Sequence, residues 1–330
     1  MKRYLSLLIP FFLAACGSQP DGRLRIGVSI PTQREERWVR DVATLRSQCA
    51  AKNFVFMLQI SDNDAARQLA QCENLLAQKI DVLILAPHDA AAASVIVEKA
   101  RAQGVKVISY DRLVLNADVD LYLSFDNVRV GELQGDYLTK LVPKGNYVVL
   151  SGAPTDHNAA LFKEGAMKII KPLADRGDIK IVMEQPVKDW QPLEAMKLME
   201  NALTASGNKI DAVLAPNDGT AGGCVQALAA QGLAGKIPVT GQDAELSAVR
   251  RIADGTQAMT VFKDTRRLAE AAVDAAEKLA AGKDPGVNSA VPNGKISVPS
   301  RLLSPTAVDK ANLSAVLIES GYIKKEDVYK

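Results

Sequence analysis

Short apolar runs that predict strands alternate, along the first half of the chain, with stretches whose apolar residues recur at helical spacing. The predicted strands span residues 24–30, 54–60, 82–86, 105–110 and 121–124. The predicted helices between them span residues 38–51, 65–78 and 91–103. Asp62 or Asp64 can cap the second helix, and Gly104 can end the third. This alternation favours a parallel sheet built from βα units.

The second half of the chain repeats the same alternation. Its predicted strands span residues 147–151, 179–184, 212–215, 237–240 and 257–262. Its predicted helices lie near residues 158–173, 192–205, 219–231, 244–253 and 265–281. A stretch punctuated by Pro and Gly follows at 282–299, and a last helical segment is predicted from about Asp309. The chain is therefore predicted to be an α/β protein with two doubly wound parallel-sheet domains.

Parts of the sequence recur about 130 residues further on. The segment from Ile80 to Asp89 returns as 210–218, and the segment from Gly104 to Asp111 returns as 235–243. Two similar halves suggest two lobes that face one ligand. If the strand at 257–262 and the helix after it return to the first domain, the chain crosses between the lobes several times. We therefore expect a hinge of several segments.

The N-terminus has the pattern of a secretory signal, because two basic residues precede an apolar run at 4–15 that is too short to span a membrane. The signal ends in Leu-Ala-Ala-Cys, which resembles a bacterial lipobox and implies that Cys16 carries a lipid. An ordinary signal followed by a chance cysteine is the alternative. We expect residues 1–15 to be the signal peptide and residues 16–23 to be a lipidated tether.

Charge and cysteine content narrow the classes of function. Without the two basic residues of the predicted signal, the 40 basic residues become 38, which equals the 38 acidic residues. A neutral chain of this kind has no electrostatic footprint for nucleic acid. Of the remaining cysteines, Cys49, Cys72 and Cys224 are interpreted as small buried residues, and a bridge between the first two is the alternative. The sequence contains no Cys/His cluster, so it predicts no metal site.

Polar side chains follow the predicted strands, at the sheet edge where ligands bind in doubly wound folds. The candidate site residues are Arg37, Trp38, Asp111, Arg112, Asp156, Asn158, Trp190, Asn217, Asp243 and Lys263. Carboxylates and amides accept hydrogen bonds from sugar hydroxyls, arginine donates in a planar fork, and indole rings cover the apolar face of a pyranose. This inventory favours a neutral polyol as ligand.

Each candidate also has a structural interpretation. Trp38 and Trp190 could belong to the core, and the Asp111–Arg112 pair could be a surface ion pair. Asp89 and Asp218 are interpreted as turn or N-cap residues rather than as ligand contacts. None of the common nucleotide-binding, metalloprotease or nucleophile motifs occurs, so we expect a binding protein without cofactor or catalysis. A secreted glycosidase that uses paired carboxylates is the rival class.

Several segments combine into a pattern that is more specific than any single motif. They are Glu36-Arg37-Trp38, Val107-Ile108-Ser109-Tyr110-Asp111-Arg112, Ser124-Phe125-Asp126-Asn127, Asp211–Gly223, Gly241-Gln242-Asp243-Ala244 and Val298-Pro299-Ser300-Arg301-Leu302-Leu303. On these residues the chain resembles, from about Arg25 onward, a family of bacterial substrate-binding proteins for aldopyranoses that includes D-xylose binders and multiple-sugar binders. The resemblance implies that the sugar contacts are the ten candidate residues named above.

The resemblance also implies the type I periplasmic-binding-protein fold, with hinge segments near residues 125–127, 259–262 and 298–300. We accordingly expect one lobe made of residues 24–125 plus 262–298, and a second lobe made of residues 126–261 plus 299–330.

The function implied is capture of a monosaccharide for an ABC transporter permease, by a monomer in the periplasm or at the cell surface. D-xylose is the leading ligand for two reasons. The segment around Trp190 is short, as in the xylose binders, and Asn217 also follows their pattern. Glucose, arabinose or galactose, bound for a chemoreceptor or sensor kinase, is the alternative. A sugar-binding transcriptional regulator is another rival class. It would need a DNA-binding helix-turn-helix before the first strand, and this chain has its predicted signal at that position.

Overall fold

The computed structural model of the protein describes residues 22–329. The predicted signal and Cys16 lie outside the described residues. The strands are β1 (Arg25–Ile30), β2 (Val55–Ile60), β3 (Val82–Leu85), β4 (Lys106–Tyr110), β5 (Leu121–Phe125), β6 (Gly145–Ser151), β7 (Ile179–Pro186), β8 (Ala212–Leu214), β9 (Met259–Phe262), β10 (Ser289–Pro292), β11 (Ser297–Leu303) and β12 (Thr306–Asp309).

Ten α-helices connect and flank these strands in the described part of the chain. They are α1 (Glu36–Ala51), α2 (Ala65–Ala77), α3 (Ser94–Ala102), α4 (Asn127–Leu141), α5 (His157–Asp175), α6 (Pro192–Ser206), α7 (Asp218–Ala230), α8 (Leu246–Asp254), α9 (Thr265–Ala280) and α10 (Lys325–Val328). None of these helices combines the length and the apolar character that crossing a membrane requires.

The first lobe is a seven-stranded sheet in the order β10-β11-β5-β4-β3-β1-β2, parallel except for the antiparallel β10–β11 pair. Helices α1 and α9 cover one face, and α2 and α3 cover the other. Cys49 lies in the core on the α1 face and Cys72 in the core on the α2 face, and both are free thiols. The interpretation of these cysteines, and of Cys224, as buried apolar residues is confirmed.

The second lobe has a central sheet in the order β7-β6-β8. A parallel bridge from Val213 to Val239 and another from Gln242 to Val261 extend it toward the antiparallel pair β9–β12. The predicted strand at 237–240 is thus reduced to a single bridge. Helices α6 and α7 pack on one face of this sheet, and α4 and α5 pack on the other.

Three further elements differ from the sequence-based expectation. Helix α4 was not predicted, because glycines at 131 and 135 interrupt its sequence and glycine weakens a helix interior by about 1 kcal/mol. The fold needs a glycine there, since a Cβ atom on Gly131 would overlap the Phe162 carbonyl oxygen of α5. The stretch at 282–299 contains β10 and the start of β11, and the predicted last helix is replaced by β12, a π-helical turn and α10.

The chain crosses between the lobes three times. The crossings follow β5, β9 and β11, at Phe125, Phe262 and Leu303. The third crossing lies a few residues later than the expected boundary between 298 and 299, because β11 pairs with β5 in the first sheet as far as Leu303, opposite Phe125. Residues 299–303 therefore belong to the first lobe rather than to the second.

Candidate functional site

The carboxyl ends of strands from both lobes meet at a small cavity in the cleft between them. All ten candidate residues from the sequence line it, and three further side chains complete the lining. Those three are Glu35, Phe162 and Gln242. The fold thus brings together every residue that the strand ends had indicated.

The start of α1 supplies two cavity residues of the first lobe. The Arg37 Nη1 donates to Asp111 Oδ1 at 2.7 Å, and its Nε donates to Asp41 Oδ2 at 3.3 Å. The guanidinium carbon lies 4.6 Å from the centre of the Trp38 ring, a cation–π distance. Two carboxylates and an indole therefore hold the Arg37 fork in one orientation.

Asp111 follows β4 with a backbone φ of 60°, a left-handed conformation that an aspartate adopts at some cost. Three donors converge on its carbonyl oxygen: Ser124 Oγ at 2.7 Å, Asn158 Nδ2 at 2.9 Å and Tyr122 Oη at 3.2 Å. The surrounding side chains thus hold the backbone conformation that points Asp111 into the cavity.

Lys263 and Asp243 join the two lobes within the cavity lining. The Lys263 Nζ lies 3.0 Å from Asp243 Oδ1 and 4.0 Å from Asp111 Oδ1, and Arg37 Nη1 lies 3.8 Å from the same Asp243 oxygen. The 3.0 Å contact is an ion pair without the alignment of a hydrogen bond. Burial would raise the pKa of Asp111, but Arg37, Lys263 and Arg112 lower it below its ordinary value, so this carboxylate is ionised.

Arg112 and Asp156 form a buried ion pair between the lobes, with 2.9 Å between Arg112 Nε and Asp156 Oδ2. Asp156 is the N-cap of α5 and also accepts from the Asn158 backbone N–H at 3.0 Å. Burial raises the pKa of Asp156, and Arg112 opposes that shift. The alternative of a surface pair at Asp111 and Arg112 is wrong, because both residues are buried.

Asn217 is the N-cap of α7 and forms a reciprocal capping box with Thr220. Its Oδ1 accepts from the backbone N–H of Thr220 at 3.0 Å and from the hydroxyl at 2.7 Å. Because this oxygen is engaged in the cap, the Asn217 amide nitrogen is the atom left to donate into the cavity.

Trp190 ends a 3-10 turn, Lys188–Trp190, in which Asp189 and Trp190 have φ values of 49° and 57°. The indole meets the Phe162 ring edge-on, with centroids 6.3 Å apart, and lies over Gly152, where a Cβ atom would overlap the ring. Trp38 and Trp190 each belong both to a core cluster and to the cavity lining, so packing in the core does not remove either indole from the cavity wall.

Five cavity residues carry a buried polar atom that has no hydrogen-bond partner, out of nine such atoms in residues 22–329. They are Glu35 Oε2, Arg37 Nη2, Trp190 Nε1, Gln242 Oε1 and Asp243 Oδ1. Asp243 Oδ1 is ion-paired with Lys263, and each of the other four unsatisfied groups costs about 1–3 kcal/mol. Because donors and acceptors occur together, the ligand that would satisfy them must both accept and donate, as hydroxyl groups do.

The charges around the cavity nearly cancel. Four carboxylates face three cations, namely Glu35, Asp111, Asp156 and Asp243 against Arg37, Arg112 and Lys263. Arg34 also pairs with Glu35 at 2.8 Å, which balances the set and favours an uncharged ligand. Within residues 22–329, no group of three or more His, Cys, Asp or Glu side chains is placed to hold a metal ion.

Asp89 and Asp218 behave differently from each other. Asp89 Oδ1 accepts from the backbone N–H groups of Ala91 and Ala92, which confirms its interpretation as a turn residue. Asp218 is instead the buried first residue of α7 and accepts from Gln257 and Thr260, so its interpretation as a turn or N-cap residue is wrong and its neighbour Asn217 is the cap.

The sequence pattern could have indicated two of the three added lining residues but not the third. Glu35 and Gln242 belong to strand-end segments, so the position signal was present for both. Phe162 lies within α5, where an apolar residue at helical spacing gives no sign that it faces a ligand.

The sequence and the fold both match known proteins. The pattern of the family described as periplasmic binding protein domain matches residues 26–284. The D-xylose-binding periplasmic protein of Escherichia coli K12 is 44% identical over 305 residues, which cover 92% of each chain. The multiple sugar-binding periplasmic receptor of Rhizobium radiobacter is 39% identical over 324 residues, again 92% of each chain.

Among solved structures, a carbohydrate transporter solute-binding protein from Chloroflexus aurantiacus in complex with D-glucose superposes with a TM-score of 0.86 and 36% identity. The match covers 92% of this chain and 98% of that one. With the cavity between two doubly wound lobes, these similarities show that the chain belongs to the family of periplasmic binding proteins and has their type I fold.

Proposed function

We propose that this chain captures one aldopyranose in the cleft between its lobes, with D-xylose as the leading candidate, and delivers it to the permease of an ABC transporter. The observation that carries the proposal is the set of buried donors and acceptors that lack hydrogen-bond partners, around a cavity with balanced charge. A pyranose supplies several hydroxyl groups that both donate and accept, and it carries no charge that the cavity would have to neutralise.

The two indoles support a pyranose rather than an open-chain polyol. Trp38 comes from the first lobe and Trp190 from the second, and both line the cavity. An indole face covers the apolar C–H face of a sugar ring and loses little entropy when it is ordered. The identity of 44% to a D-xylose-binding protein makes D-xylose the first ligand to test. D-glucose, L-arabinose and D-galactose are the alternatives.

Capture would work by a shift between open and closed forms. Arg112 and Asp156 pair between the lobes, and Arg37 reaches Asp243 in the same way. A sugar held by both walls makes its full set of contacts only when the lobes are closed, so binding raises the population of that form. The closed form is then the one that a permease would recognise. A chemoreceptor or sensor kinase is the second candidate partner.

A panel of aldoses in a thermal-shift assay tests the proposal. A ligand at 100 times its dissociation constant adds about 2.7 kcal/mol to the free energy of unfolding, so the true ligand should raise the melting temperature clearly. We expect D-xylose to give one of the largest shifts and a linear polyol such as xylitol to give little. The proposal fails if no pentose or hexose changes the melting temperature. Turnover of an aryl glycoside would favour the glycosidase class instead.

We further propose that the mature protein is attached to a membrane through a lipid on Cys16, which lies outside the described residues. Two or three acyl chains, at about 0.8 kcal/mol per buried CH₂, would make the attachment effectively permanent. Replacing Cys16 by Ser should move the protein from the membrane pellet to the soluble fraction, whereas replacing the neighbouring Ser18 by Ala should not. A Cys16→Ser protein that remains in the pellet contradicts the anchor.

A further inference from the structure

Glu35 is the one carboxylate in the cavity lining that is not among the ten predicted sugar contacts. It is the N-cap of α1, yet its side chain accepts no hydrogen bond from that helix. Its Oε1 accepts from Arg34 Nη2 at 2.8 Å, while its Oε2 is buried and has no partner. The side chain is only 9% exposed. A half-paired, buried carboxylate on the cavity wall has an acceptor to offer a ligand.

A pentopyranose does not need this acceptor. Eight other polar or charged side chains that were predicted as sugar contacts line the cavity: Arg37, Asp111, Arg112, Asp156, Asn158, Asn217, Asp243 and Lys263. They provide both donors and acceptors for the four hydroxyls of a pentopyranose. Glu35 is an additional acceptor, and a hexopyranose differs from the corresponding pentopyranose by one exocyclic CH₂OH group.

The place of Glu35 in the cleft fits a substituent that extends from the ring. Its partner Arg34 is 38% exposed, so this pair lies at the rim of the cavity. The side chains of the ion cluster of Lys263, Asp243 and Asp111 are instead at most 6% exposed, so this cluster marks the deeper end, or base, of the cavity. A group that projects outward from a ring held at the base would therefore approach Glu35.

We propose that Glu35 Oε2 accepts a hydrogen bond from the exocyclic hydroxyl of a hexopyranose, and so extends the ligand range of this chain from pentoses to hexoses such as D-glucose. The proposal rests on the proposed function, capture of an aldopyranose in this cleft. Glu35 is in this sense a specificity-determining residue, whereas the eight other polar side chains named above hold the ring hydroxyls.

Arg34 positions the carboxylate and ties it to the opposite wall. The same Nη2 that donates to Glu35 also donates to the backbone carbonyl oxygen of Asp189. Asp189 immediately precedes Trp190 in the turn that carries the second indole. Glu35 therefore takes up its position when the two lobes are closed, which is when a bound sugar would meet it.

A comparison of three sugars isolates the contribution of the exocyclic hydroxyl to the binding affinity. D-glucose carries that hydroxyl, 6-deoxy-D-glucose keeps the carbon but lacks the hydroxyl, and D-xylose lacks both. In calorimetric titrations of the wild type, we expect D-glucose to bind roughly tenfold or more tightly than 6-deoxy-D-glucose, because a hydrogen bond to an ionised group is strong. In Glu35→Leu that ratio should fall to about one, with the D-xylose affinity within about threefold of wild type.

A matched control uses the next residue along α1. Glu36 is half-buried, accepts from the backbone N–H of Leu246 at 2.9 Å, and does not line the cavity. Glu36→Leu should leave the ratio between D-glucose and 6-deoxy-D-glucose unchanged, even if closure of the lobes weakens and all three affinities fall together.

The outcomes that overturn the proposal are distinct from those that overturn the proposed function. If the wild type binds D-xylose but does not distinguish D-glucose from 6-deoxy-D-glucose, Glu35 does not contact the exocyclic hydroxyl. The same conclusion follows if Glu35→Leu keeps the wild-type ratio, or weakens all three sugars by one factor. If the wild type binds neither pentoses nor hexoses, the proposed function itself fails.

Discussion

The two walls of the cavity are built by different means. On the first-lobe wall, charged side chains orient one another: Arg37 is held between Asp111 and Asp41, and the Tyr110 hydroxyl donates to Asp41. On the second-lobe wall, the backbone orients the side chains, because Asp156 caps one helix, Asn217 caps another and Trp190 ends a tight turn.

Because of this difference, we expect a substitution to have different consequences on the two walls. A change in the first-lobe network leaves a buried charge without its partner, which affects electrostatics and stability together. A change in the second-lobe wall alters a cap or a turn, and so changes the geometry that the sugar would meet. Asp243 belongs to the second lobe but pairs with Lys263 and Arg37, so it joins the two systems.

Removing Asp243 should have the largest effect, because it breaks the link between the walls. In Asp243→Ala, Lys263 and Arg37 each lose a buried partner, and we expect sugar binding to become unmeasurable by calorimetry. Breaking a buried ion pair costs about 3–5 kcal/mol, so urea unfolding should show a large loss of stability in a protein that still folds. The exposed Asp254 is the matched control, and its replacement by Ala should change neither quantity. Sugar binding that survives in Asp243→Ala would refute the assignment.

Replacing each indole separately should sharpen the comparison between the walls. Both Trp38→Ala and Trp190→Ala should abolish measurable sugar binding. Trp38 also packs in the main core of the first lobe, so its loss should cost about 3–5 kcal/mol of unfolding free energy. Trp190 lies in a smaller cluster beside Phe162, and its loss should cost less. Equal losses of stability in denaturant titrations would argue against this difference.

A single added methyl group tests whether the second-lobe wall depends on backbone geometry. In Gly152→Ala the new Cβ would overlap the Trp190 ring, so the indole must move. Overpacking of this kind costs about 1–3 kcal/mol, and we expect sugar affinity to fall by about tenfold. In Gly219→Ala in the same lobe, the new Cβ would lie 3.6 Å from Pro192 Cγ and 3.8 Å from Asn217 Nδ2, which are ordinary van der Waals contacts, so this variant should bind sugar as the wild type does. Similar affinities for the two variants would contradict this role of Gly152.

The smallest predicted effect concerns acidic groups that face each other between the lobes. Glu245 is half-buried, and its removal from water together with the nearby carboxylates of Asp218, Asp243, Glu36 and Glu35 raises its pKa to about 8. The ordinary value is 4.5, so the native protein binds more protons than the unfolded chain between pH about 4.5 and about 8. The free energy of unfolding should therefore fall as pH rises across this interval.

Glu245→Gln removes this contribution, so its melting temperature should fall less than that of the wild type over the same interval. Asp218, whose burial raises its pKa to about 7, remains in the variant and should leave a residual fall. Thermal unfolding at several pH values makes the comparison. An unchanged pH dependence in Glu245→Gln would show that this carboxyl does not titrate as its half-buried position between the walls requires.

Much of the site could be predicted from the sequence because of a rule about strand ends. In a parallel sheet the carboxyl ends of the strands meet at one edge, so residues such as Asp111 and Asp243, which follow apolar runs, are brought close together. Lys263 follows the last strand before a crossing in the same way. Residue type then indicated the chemistry, since carboxylates, amides, guanidinium groups and indoles suit hydroxyls on a ring.

Other features depend on contacts between segments that are distant in the chain. Helix α4 carries two glycines that weaken it as an isolated helix, and only the close approach of α5 explains them. The end of β11 at Leu303 is set by its pairing with β5, not by any local turn signal. Phe162 looks like any apolar helix residue until Trp190 packs against it.

The sequence by itself determined the α/β class, the two lobes, the burial of the cysteines and the residues at the strand ends, because these follow from local periodicity and residue type. The tertiary structure decided which charges pair, that Glu35 keeps one oxygen without a partner, and where the chain crosses for the third time. Those properties depend on distances between residues far apart in the chain, and only the packing of the two lobes determines such distances.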